Sequence, residues 1–534
     1  MLEPIEVLRL YPAHSGTFSS MLASRAAVAP DREFIWFQGT SYSYAQALDL
    51  VGQTAAMLAQ RGVKKGDRLG VMSANHPSTV FLLLALARLG ATMVSVNPDY
   101  GVAEAQYVLM HAQVCGVVCA PEALATVEAA CEGAPHCPWF MLNAPGKADL
   151  PVFFDAVQAT QADGLPAENH DADAVCVFIY TSGTTGFPKG VMHSQRNVLM
   201  AGEGFVERMH LQPQDRLLCV LPMFHINAIC YSLGGTLAAG ATLILEPRFS
   251  ASRFWQIVKD TGATEVNTIA AATSILMRRP RSEYIPGHRL TKIYGAPFDE
   301  ETFRVFQQEF SVPVLIEGYG MSEIPGVLNN PYGGPYKVRS MGKPSLHPDH
   351  SIPFSQMRVV DEQGNPVSDG QVGELEVRTP IVMRGYFRDP EQTAAAFRDG
   401  WFITGDLGRR DTDGYFWFVA RKKDIIRKRG ENISGAELDG VINSHPDVIN
   451  SAAIAVPSDL GEDDILVAVV QKPGANLTAF DIAAWCRERL APFKVPRYVV
   501  FTQSLPLTPT HRVAKFKMRD DPKLLEHAMD LEGK

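Results

Sequence analysis

The sequence lacks an unbroken apolar stretch long enough to cross a membrane. Its longest apolar run, from Val80 to Val96, is interrupted by Arg88 and Gly90, whereas a membrane-spanning helix needs about 20 consecutive apolar residues. The first six residues are acidic and lack the basic segment of a secretory signal. We therefore expect a cytoplasmic protein without a transmembrane segment.

Cysteine is scarce and scattered, with eight residues in a chain of 534. Cys115 and Cys119 lie near each other in the sequence, but no histidine pair follows them at zinc-finger spacing. This distribution favours reduced thiols in a cytosolic protein over a metal site or a disulfide framework.

Positive charge is also in deficit, because the formal net charge is -9. An acidic chain gains no general electrostatic attraction toward DNA or RNA. We therefore expect no nucleic-acid partner, although a local pocket for a single nucleotide remains compatible with this balance.

What the sequence does contain is enough apolar material, 46% of residues, for more than one hydrophobic core. Apolar runs predict strands at 69–73, 92–96 and 114–119, and amphipathic stretches predict helices at Tyr44–Arg61 and Pro77–Leu89. This alternation is typical of layered α/β subdomains.

The sequence pattern changes near residue 355. Short strands separated by polar turns are predicted at 358–367, 373–378 and 414–420, which suggests a small β-barrel-like region. A basic stretch and a compact α/β unit of about one hundred residues follow, a size within the usual range for a domain. The sequence predicts an N-terminal domain over 1–422 and a small C-terminal domain over 423–534.

The strongest motif is a loop rich in glycine and hydroxyl groups, at 180–190. It follows the apolar run 175–179 and precedes a helix predicted to begin near Ser194. Small residues allow backbone N–H groups to approach a phosphate, and Lys189 adds a point charge. Pro188 stands where a Walker A motif has glycine, so a P-loop ATPase is disfavoured. The candidate phosphate contacts are Thr181, Ser182, Gly183, Thr184, Thr185, Gly186 and Lys189.

This loop resembles the signature of the adenylate-forming superfamily, which includes acyl-CoA synthetases, peptide synthetase adenylation domains and beetle luciferases. The resemblance covers nearly the whole chain. It implies an ATP-dependent acid–thiol ligase with a mobile C-terminal domain, using ATP, Mg²⁺ and coenzyme A. The acid would attack the α-phosphate of ATP to give an acyl-AMP, and a thiol would then displace AMP.

The resemblance also assigns the nucleotide contacts. Tyr319 would stack on adenine, Ser322 would donate to the α-phosphate, and Glu323 with Thr184 would hold Mg²⁺. The segments that match the family's nucleotide-binding positions comprise Gly295, Ala296, Pro297, Glu317, Gly318, Tyr319, Gly320, Met321 and Ser322.

Later segments match the family's ribose, hinge and thiol-channel residues. Asp406 resembles the acid that accepts hydrogen bonds from the ribose hydroxyls, and Arg421 a second ribose or phosphate contact. Lys423 resembles the hinge residue. The segment that would line the coenzyme A channel contains Gly430, Glu431 and Asn432.

The segment 222–228 resembles the family's acyl-pocket motif. His225, Asn227 and Tyr231 are the expected lining residues, with His225 as a positioning or catalytic group. No acid lies where amino-acid-activating domains carry an aspartate, which disfavours an amino acid substrate. Three short segments, 223–226, 428–434 and 493–496, look most similar to carnitine/crotonobetaine–CoA ligases.

The chain departs from the family at the catalytic lysine. A Gly-Lys pair is normal there, and this sequence has His511 and Arg512. Arginine keeps the charge but is planar and bulkier. Three alternatives stay open: Arg512 acts, Lys515 or Lys517 replaces it, or adenylation is slow.

Two other functions remain open from the sequence alone. One is an adenylating enzyme that loads a carrier protein, and the other is an impaired protein that only binds AMP or acyl-AMP. The sequence does not specify the acid, and it leaves a homodimer open.

Overall fold

The computed structural model describes residues 1–146, 149–160, 167–181, 188–428, 431–458, 463–507 and 513–532. The chain divides into two compact units. Among the described residues, the first comprises those in 1–181, 188–357 and 377–402, and the second comprises those in 358–376 and 403–532.

Two largely parallel sheets form the framework of the first unit, as the α/β pattern predicts. The nine strands of the larger sheet are, in spatial order, Lys343–Pro344, Ile324–Asn329, Val314–Met321, Lys292–Gly295, Glu265–Asn267, Arg216–Cys219, Thr242–Leu245, Glu33–Phe37 and Thr40–Ser43. The seven of the other sheet are Gly385–Tyr386, Lys189–Ser194, Val175–Thr181, Thr92–Val96, Arg68–Met72, Val117–Cys119 and Phe140–Leu142.

Helices pack on these sheets and bury most of their apolar side chains. Those of the first unit are Pro4–Arg9, Phe18–Val28, Tyr44–Gln60, Pro77–Leu89, Val102–Ala112, Leu124–Ala130, Phe153–Gln158, Gln195–Met209, Gly234–Ala239, Phe254–Thr261, Ala270–Arg278, Glu300–Arg304 and Pro390–Ala395.

The helix Pro77–Leu89 explains the longest apolar run of the sequence. Proline occupies its first turn, the His76 side chain caps its N-terminus, and Gly90 ends it with a φ of 72°. Nearly every side chain of this helix is buried, so the run belongs to the protein core. Within the described residues, no helix combines the length and apolar character needed to span a bilayer.

Three smaller sheets lie later in the chain. A five-stranded sheet contains Gln356–Val360, Gly373–Arg378, Trp401–Arg410, Phe397–Arg398 and Phe416–Arg421. A hairpin pairs Ile425–Lys428 with Glu431–Ser434, and a four-stranded sheet contains Val448–Pro457, Asp463–Gln471, Tyr498–Phe501 and Met529–Asp530. The helices of this part are Gly435–Asn443, Ala479–Arg487, Lys515–Arg519 and Pro522–Glu526.

One predicted strand is shorter than expected, because Val114 closes the preceding helix instead of extending the sheet. Its N–H donates to the carbonyl of Leu109, and Gln113 adopts a left-handed conformation at the helix end. The strand therefore begins only at Val117. The α/β fold class itself is confirmed.

Candidate active site

A hairpin carries the two ends of the phosphate loop. The strands Val175–Thr181 and Lys189–Ser194 are antiparallel, and Thr181 lies directly opposite Lys189. The structure thus holds these two side chains at the same end of the sheet. The predicted contacts between them, Ser182, Gly183, Thr184, Thr185 and Gly186, lie outside the described residues.

Lys189 and Glu323 are brought together by Tyr386, a residue that the sequence reasoning missed. The Tyr386 hydroxyl donates to Glu323 Oε1 over 2.9 Å, and Lys189 Nζ lies 5.0 Å from the centre of the Tyr386 ring. Burial, followed by the charge of Glu323, raises the pKa of Tyr386 well above its ordinary value. Tyr386 therefore stays a neutral donor that fixes one oxygen of the carboxylate.

Two backbone contacts hold this cluster in place. Tyr386 pairs with Val191 at the edge of the seven-stranded sheet, next to the hairpin that carries Lys189. The carbonyl of Glu323 accepts a hydrogen bond from the Met383 N–H over 2.8 Å. The cluster thus combines a half-buried ammonium group with a carboxylate that is only 9% exposed.

Ser322 is positioned by a fully buried histidine. His193 Nε2 lies 2.6 Å from the carbonyl oxygen of Ser322. Burial lowers the pKa of His193 to about 4, so the ring is neutral at pH 7 and its Nε2–H donates to the carbonyl. His193 thus ties the hairpin strand to the segment that presents Ser322 and Glu323.

Glu317 has a structural role at the predicted adenine-binding segments. Its carboxylate accepts from the Phe298 N–H over 2.5 Å and from the Tyr336 hydroxyl over 2.7 Å. Burial raises its pKa. This carboxylate therefore links its own strand to the turn after Gly295. Both of these hydrogen-bond donors belong to the protein.

The predicted adenine-binding residues lie on neighbouring strands. Gly295 pairs with Glu317 across parallel strands, and Ala296 and Pro297 follow directly. A Cβ on Gly295 would lie 2.7 Å from Thr268 Oγ1, so the close approach requires glycine here. The segment Gly318, Tyr319, Gly320 and Met321 continues along the adjacent strand, where Tyr319 is half-buried.

In the second unit, Asp406 and Arg421 face each other across two antiparallel strands. Arg421 Nε lies 3.6 Å from Asp406 Oδ1, and the Asp406 N–H donates to Thr404 Oγ1 over 3.0 Å. The Asp406 side chain is buried and Arg421 is half-buried. The structure thus pairs the two predicted ribose contacts.

Lys423 lies in a short 3₁₀ turn, Lys422–Asp424, and its side chain is exposed. Its carbonyl accepts a hydrogen bond from Arg519 over 2.7 Å. The backbone of Glu431 and Asn432 belongs to the strand Glu431–Ser434, and Gly430 lies outside the described residues.

Lys515 and Lys517 are the described residues among the predicted substitutes for the catalytic lysine. His511 and Arg512 lie outside the described residues. Of the two alternatives, Lys515 forms an ion pair with Asp439 at 2.5 Å, whereas Lys517 is exposed. The positive charge of Lys515 is therefore already paired with Asp439.

Of the three expected acyl-pocket residues, Tyr231 lies in the π-helix Ala228–Leu233, and His225 and Asn227 directly precede that helix. The His225 ring is half-buried, 4.4 Å from the Phe224 ring centre. Asn227 Oδ1 is buried without a hydrogen-bond partner in the described part of the chain. Tyr231 is buried, and its ring stacks on Phe205 with centroids 5.3 Å apart.

The donor set around Glu323 suits Mg²⁺. This ion commonly binds through one or two carboxylates, with phosphate and water oxygens completing the octahedron. Within the residues that the structure describes, no group of three or more His, Cys, Asp or Glu side chains forms a protein-only metal site. The buried Glu323 carboxylate, held by Tyr386, fits an octahedron that phosphate and water oxygens complete.

Comparisons with known proteins identify the family of this chain. The AMP-binding enzyme family matches residues 22–387, and the AMP-binding enzyme C-terminal domain matches residues 437–512. Sulfoacetate–CoA ligase of Cupriavidus necator is 32% identical over 525 residues, covering 97% of this chain and 99% of the relative. Crotonobetaine/carnitine–CoA ligase of Salmonella paratyphi A is 29% identical, with 90% and 93% covered.

Solved structures give the same result. The ATP-bound structure of MatB from Rhodopseudomonas palustris superposes with a TM-score of 0.83 at 28% identity, covering 94% of this chain and 98% of that one. The chain belongs to the AMP-binding enzyme family, and it is an ATP-dependent acid–CoA ligase.

Proposed function

We propose that Lys189, Tyr386 and Glu323 form the phosphate-binding end of the ATP site. The supporting observation is the 2.9 Å hydrogen bond from Tyr386 to Glu323, with Lys189 Nζ 5.0 Å from the same tyrosine ring. Glu323 would hold Mg²⁺, which when bound would neutralise charge on the phosphates. Lys189 would supply a second positive charge to the departing pyrophosphate.

These residues serve the first of two steps at one site. A carboxylate oxygen of the acid attacks the α-phosphorus of ATP, the bond to the bridging oxygen breaks, and pyrophosphate leaves. Catalysis at this step is mainly charge neutralisation and in-line positioning. In the second step the sulfur of coenzyme A attacks the acyl carbonyl, and AMP departs with the bonding electron pair.

We infer that Asp406, Arg421 and the segment 430–432 supply the ribose and thiol contacts. Asp406 would accept from the ribose hydroxyls, with Arg421 beside it at 3.6 Å. A mobile domain over 423–534 would turn about Lys423 between the two steps. Gly430, Glu431 and Asn432 would then line the channel for coenzyme A. A cytoplasmic location is consistent with the eight unpaired thiols.

We propose that the acid lies beside His225, Asn227 and Tyr231. The buried Oδ1 of Asn227, which has no partner in the described part of the chain, supports a ligand-facing role.

Arg512→Ala tests the proposed substitute for the catalytic lysine. We expect ATP–pyrophosphate exchange to fall on the order of 10²-fold, because a charge that bridges carboxylate and phosphate is lost. Conversion of supplied acyl-AMP and coenzyme A to the thioester should persist, since it needs no pyrophosphate departure.

Lys517→Ala is the matched control, because it removes an exposed positive charge five residues away. Exchange that is undiminished in Arg512→Ala but lost in Lys517→Ala or Lys515→Ala would assign the role to that lysine instead. Equal loss of exchange and of thioester formation would contradict a step-specific role for Arg512.

A further inference from the structure

Arg208 is a buried cation beside the proposed acyl site. It lies next to the C-terminal residue of the helix Gln195–Met209 and is 2% exposed. Its Nη2 donates to the carbonyl of Gly326 over 2.5 Å and its Nε to Asn329 Oδ1 over 3.3 Å, with Ser345 Oγ at 3.4 Å from Nη2. All three partners are neutral groups.

Three aromatic rings surround the same guanidinium. Its central carbon lies 5.6 Å from the ring centre of Phe205, 5.2 Å from that of Tyr231 and 5.1 Å from that of Tyr294. The Phe205 and Tyr231 rings are stacked, and Tyr294 meets both edge-on. Aromatic faces attract a cation but leave its N–H groups available to an acceptor.

One end of this guanidinium has no partner among the residues that the structure describes. Nη1 is buried and makes no hydrogen bond to any described residue, and Arg208 forms no ion pair within the described part of the chain. An unpaired buried charge is unfavourable, because neither water nor a counter-ion compensates its lost hydration. The arrangement thus provides a forked donor that lacks an anion.

The surroundings connect Arg208 to both ends of the proposed active site. Tyr231, one of its three rings, belongs to the segment that contains His225 and Asn227. Gly326, its carbonyl partner, lies three residues after Glu323. A Cβ on Gly326 would lie 2.4 Å from Nη2 and 2.6 Å from Nη1, so glycine leaves room for the guanidinium at this point.

We propose that Arg208 binds a second anionic group of the acid substrate, either a carboxylate or a sulfonate. This inference rests on the proposed position of the acid beside His225, Asn227 and Tyr231. One end of the substrate carries the carboxylate that becomes the acyl phosphate, and the other end supplies the missing counter-ion. A trimethylammonium group would be repelled by the same guanidinium, so carnitine is not expected to be a substrate.

The test compares acids matched in length, one dianionic and one monoanionic. Malonate is paired with butyrate, succinate with valerate, and sulfoacetate is added to separate a sulfonate from a carboxylate. CoA-dependent AMP release gives kcat/KM for each acid with the full-length protein. We expect the parent to prefer the dianion in at least one pair by about 10²-fold, since charge-assisted, two-pronged hydrogen bonds are the strongest of their kind.

Arg208→Met removes the charge while keeping an apolar side chain, and Arg208→Lys keeps the charge without the fork. The preference for the dianion should collapse in the first variant and fall partly in the second. Arg25→Met is the matched control, because Arg25 is equally buried but donates to the carbonyls of Leu237 and Ala238. The preference should persist in that variant.

A binding measurement on the parent keeps the inference testable if Arg208→Met fails to fold. Malonate, succinate or sulfoacetate should raise the melting temperature of the parent more than butyrate or valerate does. Equal or greater use of monoacids by the parent would overturn the inference while leaving the ligase in place. A preference for the dianion that survives Arg208→Met would overturn it too. Failure of every acid to release AMP would instead count against the proposed placement of the acid and ATP.

Discussion

The carboxylate of Glu323 and the guanidinium of Arg208 are both buried close to the strand Ile324–Asn329, yet their surroundings differ. Glu323 accepts a hydrogen bond from Tyr386, with Lys189 nearby. Among the described residues, Arg208 contacts neutral groups and rings, and one of its N–H ends has no hydrogen-bond partner. Glu323, which would act with every acid, is held in place by protein hydrogen bonds. Arg208, which would select among acids, keeps one donor for the substrate.

Glu323→Gln should have the largest effect. Loss of the negative charge removes the proposed Mg²⁺ ligand, so kcat/KM should fall on the order of 10²-fold or more for every acid. The measurement is ATP–pyrophosphate exchange across the matched acid pairs. If Glu323→Gln reduced kcat/KM much more for one kind of acid than for the other, Glu323 would also select among acids. The contrast drawn here between Glu323 and Arg208 would then be wrong.

Tyr386→Phe should have a smaller effect of the same kind. It removes the hydroxyl that donates to Glu323 but keeps the ring beside Lys189. A hydrogen bond to a charged group contributes about 1.5–3 kcal/mol, so we expect a loss of kcat between roughly 10-fold and 10²-fold. The half-saturating Mg²⁺ concentration should also rise, a readout that a purely structural defect would leave unchanged.

Arg25→Met should have the smallest effect on activity and a clear effect on stability. Its guanidinium donates to the carbonyls of Leu237 and Ala238 and lies 4.5 Å from the Tyr11 ring centre. Each buried carbonyl left unpaired costs about 1–3 kcal/mol, so the free energy of unfolding in urea should fall. A change in the choice of acid would show that Arg25 is not an adequate structural control for Arg208.

Much of the fold follows from local pattern. The helices Tyr44–Gln60 and Pro77–Leu89 and the strand Thr92–Val96 lie where apolar runs and periodicity predict them. The strand before the phosphate loop and the helix starting directly after Ser194 were also predicted, whereas the second strand, Lys189–Ser194, was not. These elements depend on neighbours within a few residues, and such neighbours can be recognised in one sequence.

The candidate site was predicted less completely. Lys189 and Glu323 were recognised from motifs, but Tyr386, His193 and Arg208 were missed. Tyr386 is 63 residues from the acid it contacts, His193 is 129 residues from Ser322, and Arg208 is 118 residues from Gly326. No sequence pattern connects groups at such separations, and each looks like an ordinary polar residue in its own segment.

The sequence by itself determined the α/β class, because apolar periodicity is a local property. Its motifs, through their resemblance to those of known proteins, also indicated the acid–CoA ligase family. Only the tertiary structure decided which charges are already paired. Glu317 accepts hydrogen bonds from protein donors, Lys515 forms an ion pair with Asp439, and one N–H end of Arg208 has no partner among the described residues. Pairing depends on distances of a few ångströms between remote segments, and the folded backbone fixes those distances.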